Sequence, residues 1–339
     1  MVTSQSDLMG AKATMSRRYL SKAAPSAITT FGLAMPLKAA QNVVGVGVGT
    51  KFSEGQETTT QCVRFYVREK IGLDALATKD ILPTEIDGIP TDVIVTGRFR
   101  LFDTAADNKK RRRPLRPGLS IGFKFPPGPK AGFVMAGTCG AVVTKGGLQF
   151  ILSNNHVLAE NGQIAIGGPI FQPGLLDGGN EATDQVASLT AFVQIKPTGF
   201  NKVDCAIAEL LANAKVDPRP MPRVGKLRSA TPITATKGMD VEKTGRTTGY
   251  TRGSVFDAAA DVNVDYEDKD GKSFTASFDN QILITAPTGV FSAAGDSGSL
   301  IVDRASKRAT GLLFAGSATH TIGNHFEDVL VALGVALVA

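Results

Sequence analysis

The sequence predicts a mainly β protein: a small α/β unit, then a larger domain of short strands that ends in a helix. Three observations carry this expectation. The chain has 339 residues, about twice the length of a typical domain. Its 37 glycines and 17 prolines supply the turns that many short strands need. Its clearest apolar runs alternate at period two, the spacing of a pleated strand. With 42% hydrophobic and 20% charged residues, the composition supports a packed core and excludes a disordered, collagenous or coiled-coil chain.

Residues 1–25 are polar and alanine-rich and read as a loose N-terminal arm. Within them Ser16-Arg17-Arg18-Tyr19-Leu20-Ser21-Lys22 resembles a twin-arginine export signal. Pro25 and Pro36 interrupt the apolar stretch behind it, and no small-x-small site precedes Gln41, so we expect a cytoplasmic protein. Residues 26–40 suit a short helix. From Asn42, NVVGVGVGTKF alternates small and apolar residues. A turn at Ser53-Glu54-Gly55 leads into TQCVRFYVREK, which makes the two runs a hairpin. Leu73–Ala77 suits a helical turn, and Ile89–Val95 a third strand after Asp87-Gly88. Residues 26–100 thus form the small α/β N-terminal domain. Its Gly45-Val46-Gly47-Val48-Gly49-Thr50-Lys51 is not a phosphate loop. The spacing is wrong, and Phe52 stands where a hydroxyl is required. A strand packed closely against another backbone explains the glycines.

Residues 101–117 break the composition, with six basic residues among the eight from Lys109 to Arg116. We read them as a solvated interdomain linker. The net charge of +6 is modest for this length, so nucleic acid is not an expected partner. Residues 118–339 form the second domain, in which GTCGAVVTKGGLQFILSNNHVLA, DCAIAEL, NQILITA and ATGLLFAG alternate with glycine-rich turns. That pattern suits a closed barrel or a sandwich. The longest apolar run, the 11 residues Val329–Ala339, reads as a terminal helix. It falls short of the roughly 20 residues that cross a bilayer, so no membrane association is expected. Cys62, Cys139 and Cys205 are too few for a disulfide framework. Cys139 and Cys205 read as small buried hydrophobes.

The chemistry centres on Gly295-Asp296-Ser297-Gly298-Ser299. A serine hydroxyl attacks only when a base takes its proton and donors hold the resulting oxyanion. Gly295 permits a tight turn that aims its own N–H and that of Ser297 at one point. Of the three histidines, His156 ends the apolar run Phe150–Leu152 in polar residues, where a base faces a cleft. His320 and His325 suit surface or capping roles, and no third ligand completes a metal site with them. Asp204, beside Cys205-Ala206-Ile207-Ala208, enters an apolar strand and needs a buried partner, which an imidazole supplies. Asp177 and Asp184 are rivals in loop context.

The order His156, Asp204, Ser297, with gaps of 48 and 93 residues, resembles that of chymotrypsin-like serine proteases. The segment Gly245-Arg246-Thr247-Thr248-Gly249-Tyr250 is similar to the matching stretch of bacterial members of that family. Residues from NVVGVGVGTK to IDGIPTDVIVTG resemble the N-terminal domain of bacterial relatives of the plant narrow-leaf trypsin-like proteins. The resemblance implies a double β-barrel and a serine endopeptidase acting on protein or peptide substrates, with Ser297, His156 and Asp204 as the catalytic triad. It implies an oxyanion hole at Gly295 and Ser297, a buried cationic partner for Asp296, and no cofactor or metal. It places the specificity pocket at Phe291, Phe314, Ala315 and Gly316, which favours a small or medium apolar side chain. Glu242, Arg252 and Val157 stand where secreted relatives carry cysteines, which strengthens the cytoplasmic expectation. A protease fold that binds partners and hydrolyses little is the alternative, and the extra domain is consistent with a homo-oligomer.

Overall fold

The computed structural model describes residues 4–20, 42–53, 56–73, 76, 78–97, 99, 107–219, 223–268, 270 and 272–339. The described part of the expected loose arm, residues 4–20, is ordered: Gln5–Tyr19 form helix α1. Ser4 accepts from the Asp7 N–H while the Asp7 carboxylate accepts from the Ser4 N–H, which satisfies two donors that a helix start leaves free. Leu8, Ala11 and Met15, at helical spacing, bury one face against the first strands. Each of the two larger side chains contributes about 2 kcal/mol by its burial. Lys12 adds an ion pair to Asp261 at 2.6 Å, with both side chains 5% exposed. The expected helix over 26–40 lies outside the described residues.

Strands β1 (Val43–Ser53) and β2 (Gln56–Val67) form the expected hairpin. The short β3 (Glu85–Ile86) leads to β4 (Ile89–Val95), which runs parallel to β2. The helical turn expected over Leu73–Ala77 lies partly outside the described residues, and a 3-10 turn covers Thr78–Asp80. The glycines of β1 are there for space. A Cβ on Gly45 would sit 2.8 Å from the Asp261 carbonyl oxygen, and one on Gly47 2.0 Å from the Asp257 carboxylate.

The basic run is not a solvated linker. Arg111 pairs with Asp184 at 2.6 Å, Lys109 with Asp177 at 3.4 Å, and Arg116 with Asp217. Its backbone is tied as well, Arg112 N–H donating to Gln172 and Leu115 N–H to the Lys215 carbonyl. The charge pattern concealed this because the acidic partners lie some 60 to 100 residues away in sequence.

Beyond this strap, β5 (Ser120–Ile121) pairs with β6 (Gly137–Thr138). Next come β7 (Ala141–Lys145), β8 (Leu148–Ser153), the single turn α2 (Asn155–Leu158) and β9 (Pro169–Phe171). Then follow β10 (Gln185–Phe192), β11 (Phe200–Asn201) and β12 (Ala206–Leu210). The last third contains β13 (Asp240–Gly245), β14 (Gly249–Glu267), β15 (Ser273–Thr285), β16 (Leu300–Asp303), β17 (Ala309–Gly316) and β18 (Thr321–His325). Helix α3 (Phe326–Leu333) and β19 (Ala336–Leu337) end the chain.

These strands build two β bodies. The first is a six-stranded sheet in the order β19-β7-β8-β12-β10-β9. In the second, β13, β14, β15, β18, β17 and β16 pair in turn, and β16 returns to β13, which closes a ring of six. This is the mainly β, double-barrel class expected of the sequence. The apolar residues of α3 and of both bodies share one core, with Leu152, Ile207, Leu312, Phe326 and Val329 among its members.

Two further expectations need correction. The N-terminal unit is not a separate body: β1 pairs with β14 at Gly45↔Val262 and Val46↔Asp261, which continues the second sheet. The terminal apolar run is only partly helical. Gly334, at φ 62°, ends α3, and Ala336–Leu337 then pair with β7. No helix among the described residues is long and apolar enough to cross a membrane.

Candidate active site

His156 and Asp204 meet because β8 and β12 are antiparallel, with Ser153 opposite Ala206. The residues just past the end of β8 therefore face those just before β12. Asp204 Oδ1 accepts from the Asn155 N–H at 2.6 Å and the His156 N–H at 3.3 Å. Its Oδ2 lies 2.5 Å from His156 Nδ1 and accepts from the Tyr266 hydroxyl at 2.7 Å. A carboxylate there places the imidazole proton on Nδ1 and leaves Nε2 as the basic atom. That Nε2 is buried and has no hydrogen-bond partner among the described residues. Burial opposes protonation of His156, yet the charge and hydrogen bond of Asp204, with Glu160 behind, carry its pKa above the ordinary histidine value.

Ser297 sits on a turn held from beneath. Gly295 adopts φ +86°, and a Cβ there would lie 2.3 Å from the Arg246 guanidinium, so only glycine fits. The partner of Asp296 is Lys243, at 3.0 Å, with both side chains fully buried. Asp296 also accepts from the N–H groups of Thr247, Thr248 and Ala293. Burial lowers the pKa of Lys243, and Asp296 acts against that shift. The N–H groups of Gly295 and Ser297 have no acceptor among the described residues.

Thr138 ties the turn that carries Ser297 to the end of β8, from which His156 follows. The Thr138 N–H donates to the Ser297 carbonyl at 2.8 Å, and the Ser153 hydroxyl donates to the Thr138 carbonyl at 2.7 Å. Gly137 is wedged between them, since a Cβ on it would be 2.6 Å from Val157 and 3.1 Å from the Ser297 carbonyl. The Ser297 hydroxyl donates to the Phe314 carbonyl at 3.4 Å rather than to His156.

Parts of the chain are similar to known proteins. A family model described as the Nal1 C-terminal domain matches residues 184–324. No curated protein matches. Among solved structures, the chain is similar to a glutamic acid specific serine protease at 20% identity and a TM-score of 0.43, over 66% of this chain and all of that one. It is similar to Thermobifida fusca protease A at 16% identity and a TM-score of 0.44, over 66% of this chain and 97% of that one. Nocardiopsis protease matches at 14% identity and a TM-score of 0.43, over 66% of this chain and 98% of that one.

The rival carboxylates are otherwise engaged. Asp177 binds Arg246 through two hydrogen bonds of 2.6 and 2.8 Å, and Asp184 binds Arg111. The expected pocket residues are all buried. The Phe291 ring packs with Val241, Ile284 and Ile301 inside the second body, and the Phe314 ring packs on Phe278 at 4.9 Å. Ala315 and Gly316 are buried beside them. His320 and His325 are not surface residues, each being 8% exposed. His325 holds the N-cap position of α3, but its ring contacts the Ala258 carbonyl. No group of metal-ligating side chains occurs among the described residues. All three cysteines are buried free thiols, and burial pushes Cys139 up to about 12. Sequence reasoning missed Lys243, Arg246 and Tyr266. The first two stand close before Thr247 and Thr248, which also serve Asp296, whereas Tyr266 gave no signal in a long alternating strand.

Proposed function

We propose that the protein is a serine endopeptidase in which Ser297 is the nucleophile, His156 the general base and Asp204 its orienting carboxylate. One observation carries the reading: His156 Nδ1 is engaged by Asp204 while its buried Nε2 has no hydrogen-bond partner among the described residues. In this reading the Ser297 side chain leaves the Phe314 carbonyl, to which its hydroxyl now donates, so that its Oγ meets Nε2. Oγ then attacks the peptide carbonyl carbon and its proton passes to Nε2. The free N–H groups of Gly295 and Ser297 hold the oxyanion. Collapse of the intermediate expels the amine, which takes the proton from Nε2. A water repeats the sequence and releases the acid. Phe291, the residue at the position that the resemblance gives for the pocket floor, is not a carboxylate, which supports a small or medium apolar residue before the scissile bond. Three buried free thiols support a cytoplasmic setting.

A second reading, a protease fold that binds partners and hydrolyses little, draws on the Ser297 hydroxyl resting on Phe314. Fluorophosphonate labelling separates the two. Under the leading reading, Ser297 labels, and Ser297→Ala and His156→Ala abolish labelling or slow it by about 10⁴-fold. The labelling rate rises with pH about a midpoint above 6.5, because only neutral His156 accepts the proton. Absence of labelling at every pH, with the fold intact, selects the binding reading. A peptide-library cleavage profile then tests the apolar preference.

A further inference from the structure

The Asp204 carboxylate receives four donors, and three of them come from the single turn after β8. The fourth, the Tyr266 hydroxyl, comes from the other β body. We propose that Tyr266 is the positioning residue of the His156–Asp204 pair, tying the base to the body that carries the nucleophile. The inference rests on the reading that Ser297, His156 and Asp204 act together.

The hydroxyl is placed by construction. Tyr266 lies near the end of β14, in the β14–β15 hairpin, with Phe274 opposite in register. The tip of the hairpin is fixed to the first body. Glu267 pairs with Lys130, and the Gln163 side chain donates to the Asp268 carbonyl at 2.8 Å. The Tyr266 ring stacks on Phe274 with centroids 6.1 Å apart and meets Phe278 tilted at 5.9 Å, and Phe278 meets Phe314 tilted at 4.9 Å. Phe314 is the residue whose carbonyl holds the Ser297 hydroxyl. One aromatic column thus runs from the carboxylate behind the base to the residue beneath the nucleophile. Burial and the neighbouring Asp204 hold the phenol well above its ordinary pKa, so it remains a donor at neutral pH. Besides Asp204 and Tyr266, the titratable group facing His156 is Glu160, which in turn faces Lys130 and Glu267.

The test is Tyr266→Phe, which keeps the ring and removes the donor, made in the full chain and also in a Glu160→Gln background. Without the phenol, the Asp204 charge acts on the imidazolium undivided. The acid limb of the labelling rate and the His156 titration followed by NMR should both move to higher pH, by about half a unit or more. The turnover number should fall about tenfold at unchanged KM, the loss expected of one hydrogen bond to a charged group. An unchanged His156 titration in a folded Tyr266→Phe protein would overturn the proposal and leave Tyr266 as core filling. If that variant does not fold, the wild-type protein decides. The ¹³Cζ resonance of Tyr266 should titrate at the His156 midpoint, and a flat resonance there sinks the idea. Failure of labelling in every form, with the NMR coupling present, would refute the protease reading and leave the positioning contact standing.

Discussion

Lys243 and Asp296 form a fully buried ion pair at the turn that carries Ser297. Taking one charge away leaves the other stranded in a medium that cannot solvate it, at a cost of about 3–5 kcal/mol. Lys243→Met should therefore lose that much stability in urea denaturation and abolish fluorophosphonate labelling. Adding Asp296→Asn should recover part of the stability and none of the labelling. His320 tests a different residue-scale effect. Burial and the nearby Arg64 push its pKa from 6.5 down to about 4. The unfolded chain therefore binds more protons between these values, so stability is lost as pH falls through that window. The loss attributable to His320 is at most about 3 kcal/mol. Denaturation midpoints measured from pH 7 to 4 should fall less steeply in His320→Gln, and equal slopes would refute the assignment.

At the scale of elements, the basic strap is the clearest departure from what local sequence implies. A run with six cations among eight residues reads as solvated when only its neighbours in sequence are considered. Asp177, Asp184, Asp217 and Gln172 instead arrive from three later segments and meet it. Its exposed ion pairs contribute little individually, about 1 kcal/mol or less each. The backbone bonds of Arg112 and Leu115 matter more to accessibility, since a protease must draw the chain out as an extended strand. Trypsin under native conditions should leave the Lys109–Arg116 bonds intact, as judged by mass spectrometry of the digest. Rapid cleavage there would show the strap to be open in solution. Helix α1 taught the same lesson in reverse: its capping box and its Leu8, Ala11, Met15 spacing were present in the sequence, but its polar composition outweighed them.

The whole molecule is organised around β14, which serves the second barrel, the N-terminal hairpin and the reach toward Asp204. Its 19 residues are bent by register shifts near Asp257 and Ala260, which lets one strand belong to all three. A chain beginning at residue 107 would bare the β14 edge at Asp261–Val262 and the apolar surface that packs on Val44 and Tyr66. Such an edge invites pairing with other chains. We expect that truncated chain to aggregate or to unfold well below the full protein, and the full protein to unfold in one cooperative transition. A stable, labelling-competent fragment would restore the separate-domain reading.

By itself the sequence determined the strand periodicity, the hairpin of β1 and β2, the identity of β4, and the tight glycine turn around Ser297, since these are short-range properties of alternation, glycine and charge. The pairing of His156 with Asp204 was legible too, because a lone acid at the mouth of an apolar strand requires a partner and few candidates existed. Only the tertiary structure decided that Lys243 answers Asp296, that Tyr266 reaches Asp204 and that the N-terminal unit extends the second sheet. Those contacts join residues tens to hundreds of positions apart, and their energies come from burial and charge pairing that no local window of sequence contains.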